Sequence, residues 1–205
     1  MRNSLKFFVL AAITLCFAFA LPKKENNKKF VVLIDVAHGG KDTGGQFENY
    51  TEKDIALQIA NKLKVLNKDK DIKLHFTRDN DVFLNLTDRV DIINEIKPDL
   101  VLSLHLNYST NNFRKGMEFF VSDKSPAYEE ANGFAEKIAA HFHQNGYTVN
   151  PVKTASFTIL KNSESPAIVC ELGFLSNEKD REYLIDETRQ DDLANTLFDF
   201  IKKIK

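Results

Sequence analysis

The sequence predicts an α/β fold, a single domain on a mostly parallel twisted sheet of about six strands with helices on both faces. Three observations carry this. Short apolar runs bounded by turn residues alternate with segments of helical periodicity along the chain, the pattern of repeated βαβ units. Two runs, Val31–Ile34 and Leu100–Leu104, are nearly continuous in apolar residues, as strands buried on both faces are. The chain has 205 residues, 43% of them hydrophobic, enough for one core and no more.

The start of the chain is set apart from the rest. Arg2 and Lys6 precede an apolar run from Phe7 to Ala20 that closes on Ala18-Phe19-Ala20, the charged start, short apolar middle and small-residue cleavage site of a secretory signal peptide. The run is 14 residues long, short of the roughly 20 that span a bilayer. A retained N-terminal anchor is the alternative, and the bulky Leu15 before Cys16 argues against lipidation there. Residues 1–20 are thus read as a signal peptide, 21–29 as a flexible polar tether containing Pro22, and 30–205 as the folded domain.

Cleavage after Ala20 removes two basic residues and no acidic one, leaving 26 basic and 29 acidic residues and a formal charge of −3. No nucleic-acid footprint results. Only Cys170 would remain, so a disulfide framework is excluded in spite of the exported compartment.

Val31 to Gly45, VVLIDVAHGGKDTGG, opens the fold: an apolar strand followed by a loop that holds four of the eight glycines and His38. Thr51 caps a helix, with Asp54 three residues on, and Ile55, Ile59, Leu63 and Leu66 recur at helical spacing, which predicts a helix over Glu52–Leu66. Ile72–Thr77 alternates as a strand. Leu84–Ile96 carries Leu86, Val90, Ile93 and Ile96 on one side and ends before Pro98, a second amphipathic helix. Leu100–His105 is a buried strand ending on a histidine, Met117–Val121 a strand after Gly116, and Tyr128–Phe142 a helix closed by Asn145-Gly146. Phe157–Leu160 reads as a short strand and Ala167–Glu171 as an apolar strand ending in a carboxylate. Helices over Glu178–Ile185 and Arg189–Ile204 close the chain.

Strand ends in a parallel sheet lie on one edge, where open α/β folds place their ligands. His38 follows the first strand, His105 and Glu171 end two others, and Glu52 opens the helix after the His38 loop, so four polar groups converge from distant parts of the chain. Two histidines and a carboxylate with a position left open form a catalytic zinc pattern. Zinc brings the pKa of water to about 7, and a neighbouring glutamate can take the water proton and pass it to an amide nitrogen. The plainer alternative is a pair of satisfied loop histidines, a helix-start glutamate favoured by the macrodipole and an exposed strand end. It is weakest for Glu171, because a carboxylate closing Ala167–Cys170 is costly to bury without a partner.

The other candidates carry weaker stories. His141 and His143 fall on a helix end read as solvated, and His75 on a short strand reads as exposed or packed. Cys170, beside Glu171, points to the opposite face and into the core. Asn107 either orients a ligand or serves a turn, and Phe157 and Phe174 need no binding role.

Asp35-Val36-Ala37-His38-Gly39-Gly40-Lys41-Asp42 resembles the Asp-Pro-Gly-His-Gly-Gly-x-Asp motif of the zinc-dependent N-acetylmuramoyl-L-alanine amidases of the amidase type 3 class. Glu52-Lys53-Asp54, Thr77-Arg78-Asp79-Asn80-Asp81 with Leu86, Arg89 and Asn94, Ser103-Leu104-His105-Leu106-Asn107, and Pro166 to Asn177 are similar to its further motifs. The resemblance runs from about Lys29 to Ile201. It implies one zinc ion held by His38, Glu52 and His105, with Glu171 as the catalytic glutamate. It implies as substrate the amide joining the lactyl group of N-acetylmuramic acid to L-alanine in peptidoglycan or muropeptides. The signal peptide points to the periplasm or the outside of the cell, and a monomer is expected, with no regulatory partner named by the sequence. Val36-Ala37 departs from the family's Pro-Gly. Septal members of Gram-negative bacteria carry a helix that plugs the cleft, and here only Ser122–Ala127 occupies that place, so an open cleft is expected. A wall-binding protein without turnover and a zinc peptidase acting within peptides are the rival functions.

Overall fold

The computed structural model describes residues 28–205. The expected signal peptide, and the tether as far as residue 27, lie outside the described residues. Strand β1 (Phe30–Val36) leads through the short β2 (Gln46–Phe47) and β3 (Tyr50–Thr51) into helix α1 (Glu52–Leu66). Then come β4 (Ile72–Phe76), α2 (Leu86–Ile96), β5 (Leu100–Asn107), β6 (Glu118–Val121), α3 (Tyr128–Gln144), β7 (Lys153–Thr154), α4 (Thr158–Asn162), β8 (Ala167–Phe174), α5 (Glu178–Ile185) and α6 (Glu187–Ile204). Six strands form one sheet in the order β4-β1-β5-β8-β6-β7. β4, β1, β5 and β8 are parallel; β6 runs antiparallel to β8 and parallel to β7.

Alternation along the strands separates two faces. Val32 and Ile34 of β1, Leu102 and Leu104 of β5, and Ile168 and Cys170 of β8 enter a large core with the apolar stripes of α1, α3 and α6. Leu33, Val101 and Val169 point the other way, into a smaller core with Ile93 of α2 and Ile159 and Leu160 of α4. Each fully buried Leu or Ile contributes about 1.5–3 kcal/mol. Both faces are therefore covered. Toward the carboxyl end of the second face apolar residues give way to Asp35, Ser103, His105, Asn107 and Glu171.

Local sequence sets the helix starts. Thr51 accepts from the Asp54 N–H at the head of α1. Asn85 and Asp88 form a reciprocal capping box that starts α2 at Leu86, two residues later than its periodicity predicts. Lys97 turns into the left-handed region at its end, with φ 50°.

Three expectations are corrected. Phe157–Leu160 is not a strand: Phe157 caps the short helix α4, whose Ile159 and Leu160 pack on α2 and β8. So short an apolar run fits a buried helical turn as well as a strand, and the sixth strand is instead the two-residue β7. β5 and β8 do not end at His105 and Glu171 but continue to Asn107 and Phe174, so both side chains rise from the sheet face rather than from its tip. His141 is not solvated; it is buried, and its Nε2 lies 3.2 Å from the Thr196 carbonyl oxygen because α6 packs over that turn of α3. Phe157 is 41% exposed and borders the cleft below.

Candidate metal centre

β1 delivers its chain into a tight loop, and His38 sits in that loop with φ 55°, in the left-handed region. An L residue held there is strained unless its surroundings fix it, and two buried arginines do so. Arg78 donates to the carbonyls of Val36, Ala37 and Lys53 at 3.1, 2.7 and 2.8 Å. Arg89 donates to those of Val36 and His38 at 2.7 and 2.6 Å. Arg89 is itself paired with Asp35 at 2.7 Å, whose carboxylate also accepts from Thr77 at 2.9 Å and Ser103 at 2.6 Å. Burial opposes the charge on Asp35, but Arg89 and the Ser103 hydroxyl override it and hold the carboxyl below its ordinary value. Val36, where the family motif has proline, donates its N–H to Thr77 Oγ1 at 3.0 Å, a bond that proline cannot make.

Glu52, the first residue of α1, is buried between two imidazoles. His38 Nε2 lies 3.1 Å from its Oε2, and His105 Nδ1 lies 2.9 Å from its Oε1. The N–H groups of Gly45 and Leu106 add 2.8 and 3.0 Å bonds to the same carboxylate. His38 Nδ1 contacts Asp42 Oδ2 at 2.8 Å, an outer carboxylate that orients the ring and keeps Nε2 turned inward. Burial opposes the Glu52 charge, yet hydrogen bonds from His105 and His38 hold its carboxyl well below the usual range. Burial likewise disfavours the charged His38, but Glu52 and then Asp42 raise it to about 9. Glu52 demands a positive charge beside it, and a proton on imidazole meets the demand when no ion does.

The donor set fits a divalent ion. One donor atom each from His38, Glu52 and His105 lies within 4.8 Å of the others, so donors of the types that ligate zinc are grouped together. Gly44 leaves the space for this packing: a Cβ there would lie 2.5 Å from both Glu52 Oε2 and His38 Cδ2.

Glu171 is in register with His105 on the neighbouring strand. Its Oε2 is buried without a hydrogen-bond partner among the described residues. Burial, joined by the charges of Glu52 and Glu118 and opposed by His105, pushes its pKa up to about 7. His38, His105, Leu86 and Ile159 border two lobes of one cleft. A lobe of about 660 Å³ extends over Asp35, Asp42 and Phe83. The other, about 460 Å³, extends over Asn107, Tyr108, Phe157 and Glu171.

Residues that the sequence did not single out also meet here. Glu118 is in register with Glu171 on the far side of β8. It accepts from Asn107 Nδ2 at 3.1 Å, Arg114 at 2.9 Å and Lys153 at 2.7 Å. His75 and His143 take no part in the site, and Cys170 is buried in the opposite core, its thiol pushed up by burial.

Residues 32–203 match the family model described as N-acetylmuramoyl-L-alanine amidase. The endolysin of Bacillus phage SPP1 is 31% identical over 169 residues, covering 80% of this chain and 62% of the endolysin. The amidase LytC of Bacillus subtilis is 30% identical over 172 residues, covering 82% of this chain and 34% of LytC. The chain thus spans under two thirds of the length of these two relatives. The solved N-acetylmuramoyl-L-alanine amidase of Clostridium difficile 630 superposes with a TM-score of 0.80 at 31% identity, covering 86% of this chain and 96% of that one. The CwlV catalytic domain of Bacillus (Paenibacillus) polymyxa gives 0.78 at 29%, covering 85% and 97%.

Proposed function

Since the chain belongs to the N-acetylmuramoyl-L-alanine amidase family, we propose that it is an exported zinc amidase that cleaves peptidoglycan between the lactyl group of N-acetylmuramic acid and L-alanine. Support comes chiefly from one juxtaposition: His38, Glu52 and His105 converge in a cleft, with Glu171 on the next strand, its buried Oε2 without a hydrogen-bond partner among the described residues. His38, Glu52 and His105 would hold the metal, and Asp42 orients the first of them. When bound, zinc supplies Lewis acidity that polarises the carbonyl and brings the pKa of water to about 7.

Glu171 does the proton work. It accepts a proton from the attacking water as the oxygen bonds to the lactyl carbonyl carbon. As the carbon–nitrogen bond breaks, the same proton passes to the alanine nitrogen, leaving a carboxyl on the sugar side and a free amine on the peptide. Burial holds the Glu171 carboxyl above its ordinary value, toward the neutral range in which one group can act as base and then acid. The polar segment Ser122–Ala127 joins β6 directly to α3, and among the described residues no helix occupies that place. Activity of the single chain without an activator is expected.

The test is incubation of the chain from Leu21 onward with purified peptidoglycan, with and without chelator, followed by mass spectrometry of released fragments. Free stem peptides beginning with L-alanine, lost on chelation, are expected. Fragments cut within the stem peptide would indicate a peptidase, and sedimentation with the wall without release a binding protein. Activity that appeared only on addition of a partner protein would refute the open cleft.

A further inference from the structure

The two lobes of the cleft differ in charge. Bordering the first are Asp35, Asp42 and Asp88 against the single guanidinium of Arg89, which Asp35 already pairs. The second is bordered by the carboxylates of Glu52 and Glu171, and two cations stand behind its wall. Glu118 is only 3% exposed, and both Arg114 and Lys153 converge on its Oε1. Two cations meet one carboxylate there, and the side chains of Arg114 and Lys153 remain 45% and 39% exposed.

Two lining residues tie this cluster to the lobe. Asn107 borders the lobe and donates to Glu118 Oε2. Phe157 borders it and meets Phe120 edge-on, with ring centroids 5.5 Å apart. Lys153 is the register partner of Phe120, and its Nζ lies 5.7 Å from that ring. Lys153 and Arg114 each give one donor group to Glu118, while a lysine carries three N–H donors and an arginine five. Donors therefore remain for a second anion beside Glu118.

We propose that the second lobe is the subsite for the acidic stem peptide, with Lys153 and Arg114 binding a peptide carboxylate beyond L-alanine. The sugar then lies in the first lobe, across the metal centre. The buried Glu118 fixes the two cations without neutralising both, so that they meet a ligand already oriented. This inference deepens the amidase reading and rests on it.

The test uses the zinc-loaded chain and two N-acetylmuramoyl peptides that differ only in whether the carboxylate of the second amino acid is free or amidated. Hydrolysis is followed by chromatography, and binding of the corresponding free peptides by calorimetry. The wild type is expected to favour the free carboxylate by about tenfold in both, as a charge-assisted contact would. Lys153→Gln and Arg114→Gln are each expected to shrink that ratio through KM, and the double variant to abolish it. Because the readout is a ratio within one variant, a general loss of folding does not imitate it. Equal treatment of the two peptides by the wild type, binding of neither, or a ratio that the substitutions leave unmoved would overturn the subsite. A binding preference of the expected size without any hydrolysis would support the subsite and fault the amidase reading alone.

Discussion

Arg89 Nη2 donates to the backbone carbonyl of His38 over 2.6 Å. The same guanidinium is paired with Asp35, so a buried ion pair holds the left-handed residue that carries one proposed metal donor. Arg89→Ala leaves the Asp35 carboxylate buried without its cation, and a loss of about 3–5 kcal/mol in urea unfolding is expected. Arg89→Lys keeps the charge but not the planar fork that reaches both partners. It should recover part of the stability while zinc affinity, read by competition with a chromophoric chelator, stays below that of the wild type. Equal affinities would mean that Arg89 supports only the fold.

The same pair sets an acid limb. Asp35 is held below its ordinary pKa, so the folded state favours its ionised form. That stabilisation is present in full above the unfolded value of about 3.9 and is lost as pH falls through it toward the folded value. Unfolding free energy measured from about pH 6 down to about pH 3 should therefore decline. Asp35→Asn should be less stable at pH 6 and decline less steeply, since other carboxylates would account for the remaining slope.

How much of this was legible beforehand follows from where the information resides. Apolar runs and capping residues are local, and they located β1, α1, β5 and β8 and the convergence of His38, Glu52, His105 and Glu171. Phe157–Leu160, where α4 begins, is too short for its period to decide between helix and strand. The burial of His141 depends on α6, more than 50 residues downstream. Glu118 draws its partners from Asn107, Arg114 and Lys153, and only the order of strands in the sheet brings these together. The hold of Arg78 and Arg89 on the His38 loop is made through backbone carbonyls, which no side-chain pattern reveals.

Gly44 has φ +64°, and a Cβ there would lie 2.5 Å from Glu52 Oε2. Gly44→Ala combines left-handed strain of about 1–2 kcal/mol with a clash against two proposed donors. Zinc affinity should fall at least about tenfold, with outer arrangements that tune metal sites commonly worth about 10–100-fold. Gly45→Ala meets Tyr108 Cβ at 3.4 Å and Glu52 Oε2 at 3.5 Å, ordinary contacts, and should cost clearly less. A competition titration of both variants compares them directly, and the same loss in each would remove Gly44 from any special role.

Glu171→Gln separates proton transfer from metal binding. The substitution keeps the shape of the side chain and removes the basic oxygen, and Glu171 is not among the three clustered donors. Zinc content should remain that of the wild type, whereas turnover of a soluble muropeptide should fall by about 10²–10⁴. Glu52→Gln should behave in the opposite way, losing zinc first, because its carboxylate faces both imidazoles at 2.9–3.1 Å. The pH profile adds a second criterion. Burial raises Glu171 to about 7, and the positive charge of a bound ion acts to lower it. The acid limb of kcat/KM in the zinc-loaded enzyme should therefore lie below 7 but above the ordinary glutamate value of about 4.3. If Glu171→Gln lost zinc as readily as Glu52→Gln, Glu171 would belong with the ligands and the base would have to be sought elsewhere in the cleft.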